Sequence, residues 1–121
     1  MKTLVIGASP KPERYSNRAL NMLHNHGLET EALGLREASY KHGQIDAGFP
    51  DYKDIDTISL YVGPRNQSYY YDYILSLKPR RVIFNPGTEN PELYQKLEAA
   101  EIEYEEACTL VLLSTGQYET T

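Results

Sequence analysis

The sequence predicts an α/β fold, an open parallel sheet of about five strands with helices on both faces. Short runs of apolar and β-branched residues recur along the chain, and segments with helical spacing of apolar residues lie between them. Glycine or proline follows most of these runs. Strands that alternate with helices form right-handed βαβ units, and such units build a parallel sheet.

The first unit is a strand at residues 4–6, a loop and a helix that ends at Gly27. Three apolar residues are too few for a helix and are typical of a strand buried on both faces. We expect Ser16 to cap the helix and Tyr15 to form a hydrophobic staple with Leu20, and Gly27 is a typical left-handed C-terminal residue. The free amides of the first helical turn would face the loop, an arrangement that accepts phosphate.

The other elements follow from the same patterns. Further strands are predicted at residues 29–35, 57–62 and 80–85, with an edge strand at 102–106. One helix ends before Pro79, and another begins at Pro91, capped by Asn90, with Ala100 on its inner stripe. Residues 36–56 are predicted to be mostly loop, with at most one helical turn. Residues 110–113 form either a short helix capped by Thr109 or a further strand.

Composition restricts the function. With 121 residues, the chain is expected to form one domain over 1–121. A net charge of −5 argues against nucleic acid or an anionic membrane as the main partner. The single cysteine, Cys108, excludes an internal disulfide and a cysteine-based metal site, and it fits a reducing compartment. No long apolar stretch is present, so we expect a soluble, cytoplasmic protein.

The strand exits concentrate positive charge. In a parallel sheet of this kind, ligands bind beyond the carboxyl ends of the strands, where the strand order reverses. Four of the 12 basic residues follow predicted strands: Lys11, Arg14, Arg36 and Arg65. Guanidinium and ammonium groups give charge-assisted hydrogen bonds to phosphate, and nearby glycines let backbone approach it. The pattern predicts a small polyanionic ligand.

A dinucleotide fingerprint is absent. The pattern G-x-G-x-x-G requires glycine where this chain has Ser9 and Pro12. The acidic residue expected after the second strand to bind a ribose is replaced by the sequence Gly34-Leu35-Arg36. These features disfavour NAD, and Arg36 suits the additional phosphate of NADP better.

Three groups of residues carry a family resemblance. They are Gly7-Ala8-Ser9 with Pro12, Arg14 and Tyr15-Ser16-Asn17; Leu60-Tyr61-Val62-Gly63-Pro64; and Val82-Ile83-Phe84-Asn85-Pro86-Gly87. In this order they resemble the stand-alone coenzyme A-binding domain family, which is similar to the nucleotide-binding domain of the succinyl-CoA synthetase alpha subunit. The resemblance spans nearly the whole chain.

The resemblance implies a Rossmann-like domain that binds coenzyme A or acyl-CoA. It implies that residues 7–16 hold the diphosphate, that Arg36 lies near the adenosine 3′-phosphate, and that residues 61–65 and 85–88 line the adenine and pantetheine path. The implied ligand contacts are Gly7, Ala8, Ser9, Lys11, Arg14, Tyr15, Ser16, Arg36, Val62, Gly63, Pro64, Arg65, Asn85, Pro86, Gly87 and Thr88.

No catalytic set can be assembled from the sequence. The three histidines, His24, His26 and His42, lack metal-ligand spacing. The first two lie at a predicted helix end, where histidines are more typical of dipole partners than of catalysts. Cys108 is either a buried structural residue or a thiol facing the ligand. The tyrosines at 69–71 and 73 are either core residues or a stacking surface.

Three functions therefore stay open. The first is a coenzyme A-binding protein without catalysis. The second is an NADP-linked or acyl-CoA-processing enzyme subunit, and the third is an interaction protein with a vestigial site. A protein partner or a homo-oligomer is compatible with each.

Overall fold

The computed structural model describes residues 1–119, so residues 120 and 121 of the predicted 1–121 domain lie outside the described residues. The strands are β1 Lys2–Ile6, β2 Glu29–Leu33, β3 Ala38–Tyr40, β4 Gly43–Ile45, β5 Ile55–Leu60, β6 Arg81–Phe84 and β7 Glu103–Glu106. The helices are α1 Tyr15–Asn25, α2 Pro64–Gln67, α3 Tyr71–Leu77, α4 Pro91–Ala99 and α5 Thr109–Ser114, with a 3₁₀ turn at Ser68–Tyr70 between α2 and α3.

The main sheet has five parallel strands in the order β2-β1-β5-β6-β7, which confirms the predicted architecture. Side chains alternate across it, so Leu4 and Ile6 pack with α3 and α4 while Val5 packs with α1 and α5. The chain moves outward from β1 to β2 and then returns to add β5 on the other side. The strand order therefore reverses between β1 and β5, which is where ligands bind in such sheets.

A β-hairpin occupies residues for which the sequence predicted mostly loop. Strands β3 and β4 pair antiparallel, with Ala38 opposite Ile45, and the Ile45 side chain is 1% exposed. The next residue, Asp46, exchanges backbone hydrogen bonds with the end of β2, donating to the Ala32 carbonyl at 2.8 Å and accepting from the Gly34 amide at 2.8 Å. Most of residues 36–56 are irregular, as predicted, and the hairpin was missed because three-residue strands are too short to show an alternating pattern.

The start of α1 differs from the prediction. The residue that precedes the helix is Arg14, and no side chain caps it. Ser16 is the second helical residue and is buried, while Tyr15 is 66% exposed, so neither the predicted cap nor the staple forms. Instead, the Asn17 side chain donates to the Ser9 carbonyl at 2.9 Å and holds the preceding loop against the helix.

Several predicted element ends are confirmed and others shift. The Asn90 side chain accepts from the Glu92 amide at 3.2 Å, as expected of a cap, and β7 is an edge strand. Residues 109–114 are helical, with Cys108 rather than Thr109 in the capping position. Ala100 is exposed just beyond α4, so it does not belong to the inner stripe. None of the helices within residues 1–119 has the length and apolar character needed to span a membrane.

Candidate functional site

A groove of about 1,120 Å³ opens at the carboxyl ends of β1, β2 and β5, beside the reversal in strand order. The loop after β1 forms its floor, the segment after β2 forms one wall, and the segment after β5 forms the other. Its lining residues are Gly7, Ala8, Ser9, Pro10, Lys11, Arg14, Ser16, Leu35, Arg36, Glu37, Ala38, Val62, Gly63, Arg65, Asn66, Ser68, Tyr69 and Tyr70.

Close backbone packing shapes the floor. Gly7 has a φ of +94°, and a Cβ atom there would lie 2.8 Å from the Tyr61 carbonyl group. A Cβ atom on Gly34 would lie 2.6 Å from the Ala8 oxygen. The amides of Gly7 and Ala8 both donate to the Leu33 carbonyl, at 2.9 and 3.0 Å. These two amides therefore hold the strands together and are not available to a ligand.

The N-terminus of α1 supplies the free donors that the loop lacks. The first amides of a helix have no partner within the helix, and they carry the positive end of its dipole. Ser16 of the first turn lines the groove, and no acidic residue occupies that turn. The Lys11 amide donates to the Ser9 hydroxyl at 3.2 Å, which fixes the loop beside these donors. This end of α1 is suited to an anion.

Four basic side chains line the groove, namely Lys11, Arg14, Arg36 and Arg65. Within residues 1–119, none of them is paired with a carboxylate, whereas Lys2, Lys53, Arg80 and Arg81 all form ion pairs elsewhere. Glu37 is the acidic residue of the described lining. Four unpaired cations and a helix N-terminus in one groove can hold several phosphate groups.

The structure brings together ten of the predicted ligand contacts in this groove: Gly7, Ala8, Ser9, Lys11, Arg14, Ser16, Arg36, Val62, Gly63 and Arg65. Tyr15 and Pro64 lie next to lining residues without lining the groove themselves. The residues after β6, Asn85, Pro86, Gly87 and Thr88, lie outside the lining.

The polar side chains after β6 form hydrogen bonds within the protein. The Asn85 side chain donates to the Ser59 hydroxyl at 3.0 Å and to the Leu60 carbonyl at 2.9 Å, and its oxygen accepts from the Thr109 amide at 2.8 Å. The Thr88 hydroxyl donates to the Asn85 carbonyl at 2.8 Å. These bonds connect β5, β6 and α5 at the carboxyl edge of the sheet.

Gln67 is an important residue that the sequence reasoning missed. It is fully buried, and its amide nitrogen donates to the carbonyls of Val62 at 2.8 Å and Thr88 at 2.7 Å. Its oxygen accepts from Asn90, which caps α4. Gln67 therefore ties the groove wall after β5 to the turn after β6. No local pattern distinguishes it from its exposed neighbour Asn66.

The other predicted reactive residues lie away from the groove lining. Cys108 directly precedes α5, makes no side-chain capping bond and is half-buried. His24 at the end of α1 stacks on His42 of the hairpin turn, with ring centroids 3.7 Å apart. Among the described residues, no group of three or more histidine, cysteine or acidic side chains could hold a metal ion.

Several solved structures share this fold. A crystal structure of an uncharacterised protein is 46% identical with a TM-score of 0.92, and the match covers 96% of each chain. A hypothetical protein from Pyrococcus horikoshii OT3 is 24% identical with a TM-score of 0.82, over 90% of this chain and 78% of that chain. A protein from Thermus thermophilus is 19% identical with a TM-score of 0.82, over 96% and 89% of the two chains. The last two show likeness of fold alone.

The family comparison is more specific than these structural matches. Among curated proteins, none matches the chain. The sequence model of the CoA binding domain, however, matches residues 1–114, which span every element from β1 to the end of α5. The Rossmann-like sheet agrees with this match, and the chain therefore belongs to the CoA binding domain family.

Proposed function

We propose that this protein binds coenzyme A or acyl-CoA in the groove, acting as a small cytoplasmic protein whose residues 1–121 form one domain. The observation that carries the proposal is the set of four cations without ion-pair partners within residues 1–119 that share one groove with the N-terminus of α1 in an acidic chain. Coenzyme A carries a diphosphate and a 3′-phosphate, so it offers several negative charges over a length that such a groove can follow.

The diphosphate and the 3′-phosphate of coenzyme A can be assigned to different basic residues of the groove. Lys11 and Arg14 flank the N-terminus of α1, so they are placed to hold the diphosphate together with the free amides there. Arg36 follows β2 on the opposite wall, where it is suited to the adenosine 3′-phosphate. Arg65 is close enough to the β5 exit to serve either group. From the diphosphate, the pantetheine arm would run over Val62 and Gly63 toward residues 85–88.

The distribution of charge over the protein favours binding of a polyanionic ligand at this groove. The chain has a net charge of −5, so most of its surface repels a polyanion. A cleft of opposite sign then attracts the ligand selectively and raises its association rate. The same argument supports a small phosphorylated ligand rather than nucleic acid, which requires an extended basic surface.

Calorimetric titration of the purified protein with coenzyme A, NADPH and ATP tests the proposal. We expect coenzyme A to bind most tightly, and tighter binding of NADPH would contradict the assignment. Thermal unfolding gives a second measurement, because a ligand at about 100 times its Kd stabilises the folded state by about 2.7 kcal/mol. An unchanged Tm at millimolar coenzyme A would also contradict it.

A further inference from the structure

The two edges of the main sheet differ in whether other backbone covers them. At the end of β2, Asp46 covers the outer edge, since it donates to the Ala32 carbonyl and accepts from the Gly34 amide. At β7, no hydrogen bond within residues 1–119 beyond those to β6 involves the backbone of residues 103–106. An uncovered edge strand presents a row of free N–H and C=O groups, which is a template for pairing with a further strand. We call this outer edge of residues 103–106 the docking edge.

The docking edge lies in a strongly acidic part of the chain. Residues 89–106, which contain α4 and β7, include seven acidic residues and one basic residue, Lys96, so their net charge is −6 while that of the whole chain is −5. Glu103 and Glu106 of β7 are exposed, and neither forms an ion pair within residues 1–119. The free backbone groups are therefore bordered by negative charge that no described cation neutralises.

The two faces of β7 differ in chemistry, because side chains alternate along a strand. Tyr104 and Glu106 lie on the face of α4. There the Tyr104 ring stacks on Tyr94 at a centroid distance of 4.4 Å, and the Tyr94 hydroxyl donates to Glu106 at 2.7 Å. Glu103 and Glu105 lie on the other face. A strand added to β7 would place one set of its side chains beside two carboxylates and the other set beside an aromatic ring.

We infer that the docking edge binds an extended segment of another protein, in which lysine or arginine alternates with apolar residues. The backbone of the segment pairs with the free groups of β7, its basic side chains lie beside Glu103 and Glu105, and its apolar side chains lie beside Tyr104. Opposite charges on neighbouring strands attract each other, and like charges repel. A second copy of this chain would bring two acidic edges together, so charge selects a basic partner over self-pairing.

The docking edge is separate from the groove. Strand β6 lies between β5 and β7, and none of residues 89–106 lines the groove. A segment paired with β7 would therefore extend the sheet without entering the groove. The inference does not depend on the proposed function, and coenzyme A should leave the affinity for the segment unchanged.

Synthetic peptides with blocked ends test strand pairing separately from charge. The probe is a six-residue peptide of alternating lysine and valine, and its control has three lysines followed by three valines. Calorimetry with the full chain should show about tenfold tighter binding of the alternating peptide, because only its lysines all lie on one face of a strand. Methylating the backbone nitrogens of the lysines alone or of the valines alone should abolish binding in one case and spare it in the other, since alternate N–H groups point to opposite edges.

Two variants locate the bound peptide on the protein. Glu103→Lys replaces an attraction by a repulsion at the docking edge and should weaken the alternating peptide by about tenfold. Glu29→Lys makes the same change of charge at an exposed position of β2, on the opposite edge, and should change the affinity by less than about twofold at physiological ionic strength. Bound peptide should slow hydrogen exchange in residues 103–106 and leave exchange in β2 unchanged.

Other outcomes would contradict the inference. Equal affinity of the two peptides would show that the surface attracts positive charge without pairing to the backbone. Absence of binding at millimolar peptide, or an equal loss of affinity in Glu29→Lys, would show that β7 is not the docking site. Self-association of the unaltered protein with slowed exchange in residues 103–106 would show that a second copy covers this edge instead.

Discussion

The two halves of the carboxyl edge of the sheet differ in how their polar side chains are used. Around the exits of β1, β2 and β5, four cations have no ion-pair partner within residues 1–119. After β6, Asn85, Thr88 and Asn90 bond, together with Gln67 of α2, to one another and to backbone. We call this second set the hydrogen-bonded rim.

This difference separates the half that is available to a ligand from the half whose polar side chains stabilise the fold. A buried amide without a partner costs free energy, so the side chains of the hydrogen-bonded rim are committed to the fold. The cations of the groove face water, where they remain hydrated and available. Gln67 connects the halves, since it binds both Val62 at the groove and Thr88 at the rim. Through Gln67, the rim therefore holds the backbone of the segment after β5, which carries Arg65.

Substitution of Gln67 should cause the largest loss of stability. Gln67 is fully buried, and Gln67→Ala removes the donor to the Val62 and Thr88 carbonyls and the acceptor of one hydrogen bond from the Asn90 amide. We expect the free energy of unfolding to fall by about 3 kcal/mol. Urea unfolding followed by circular dichroism measures it. The neighbouring Asn66→Ala should change stability by less than about 0.5 kcal/mol, and an equal loss would show that the rim does not depend on Gln67.

Substitution of Gly7 should cause the next largest loss of stability, because the backbone is closely packed at this position in the floor of the groove. An alanine there would need a φ of +94° and would place its Cβ atom 2.8 Å from Tyr61 backbone. We expect a loss of about 2 kcal/mol in unfolding free energy. Gly63→Ala is the control, since that residue has a φ of −62° and open space around it. Equal stability of the two variants would contradict the close packing of Gly7.

The groove cations should affect binding without affecting stability. Arg14→Ala and Arg36→Ala should each weaken coenzyme A by about tenfold in calorimetric titrations, since each removes a charge-assisted contact to phosphate. Arg18→Ala is matched to Arg14, because it lies one turn further along α1 and does not line the groove. Lys96→Ala on α4 is a distant control. Unchanged affinity in both groove variants would show that the ligand lies elsewhere.

Elements with long local patterns could be predicted, and those fixed by tertiary contacts could not. Strands β1 and β6 contain apolar runs and β5 is rich in β-branched residues. From the order of the predicted strands, Lys11, Arg14, Arg36 and Arg65 were expected to converge, as the structure places them. The hairpin at residues 38–45 has strands of three residues, which carry no detectable period.

Side-chain partners were less predictable than elements. Ser16 has the right chemistry for a cap, but Asn17 holds the loop instead through a contact with Ser9. The burial of Gln67 depends on carbonyls that are five and 21 residues away. The resemblance also implied that Asn85 contacts the ligand, which stays a prediction, and the structure shows its side-chain amide hydrogen-bonded within the protein. Position along the chain gives the edge of the sheet but not the direction of a side chain.

The smallest expected effect concerns the hairpin beside the groove. Loss of hydration, together with the nearby His24 and Lys41, lowers the pKa of His42, whose ring stacks on His24 and meets Tyr40 edge-on. Below the unfolded-state pKa of about 6.5, the unfolded chain therefore binds more protons than the folded chain at this residue. The contribution of His42 to stability should be complete above that pH and should decline as the pH falls below it.

Hydrogen exchange of the β3–β4 amides at pH 7.5 and pH 5.5 measures this effect where it should be greatest. Because protonation weakens the contact between the hairpin turn and α1, exchange from the hairpin should accelerate at the lower pH more than intrinsic exchange predicts. In His42→Gln, whose side chain does not titrate, that additional acceleration should disappear. If it persists, groups other than His42 open the hairpin at the lower pH.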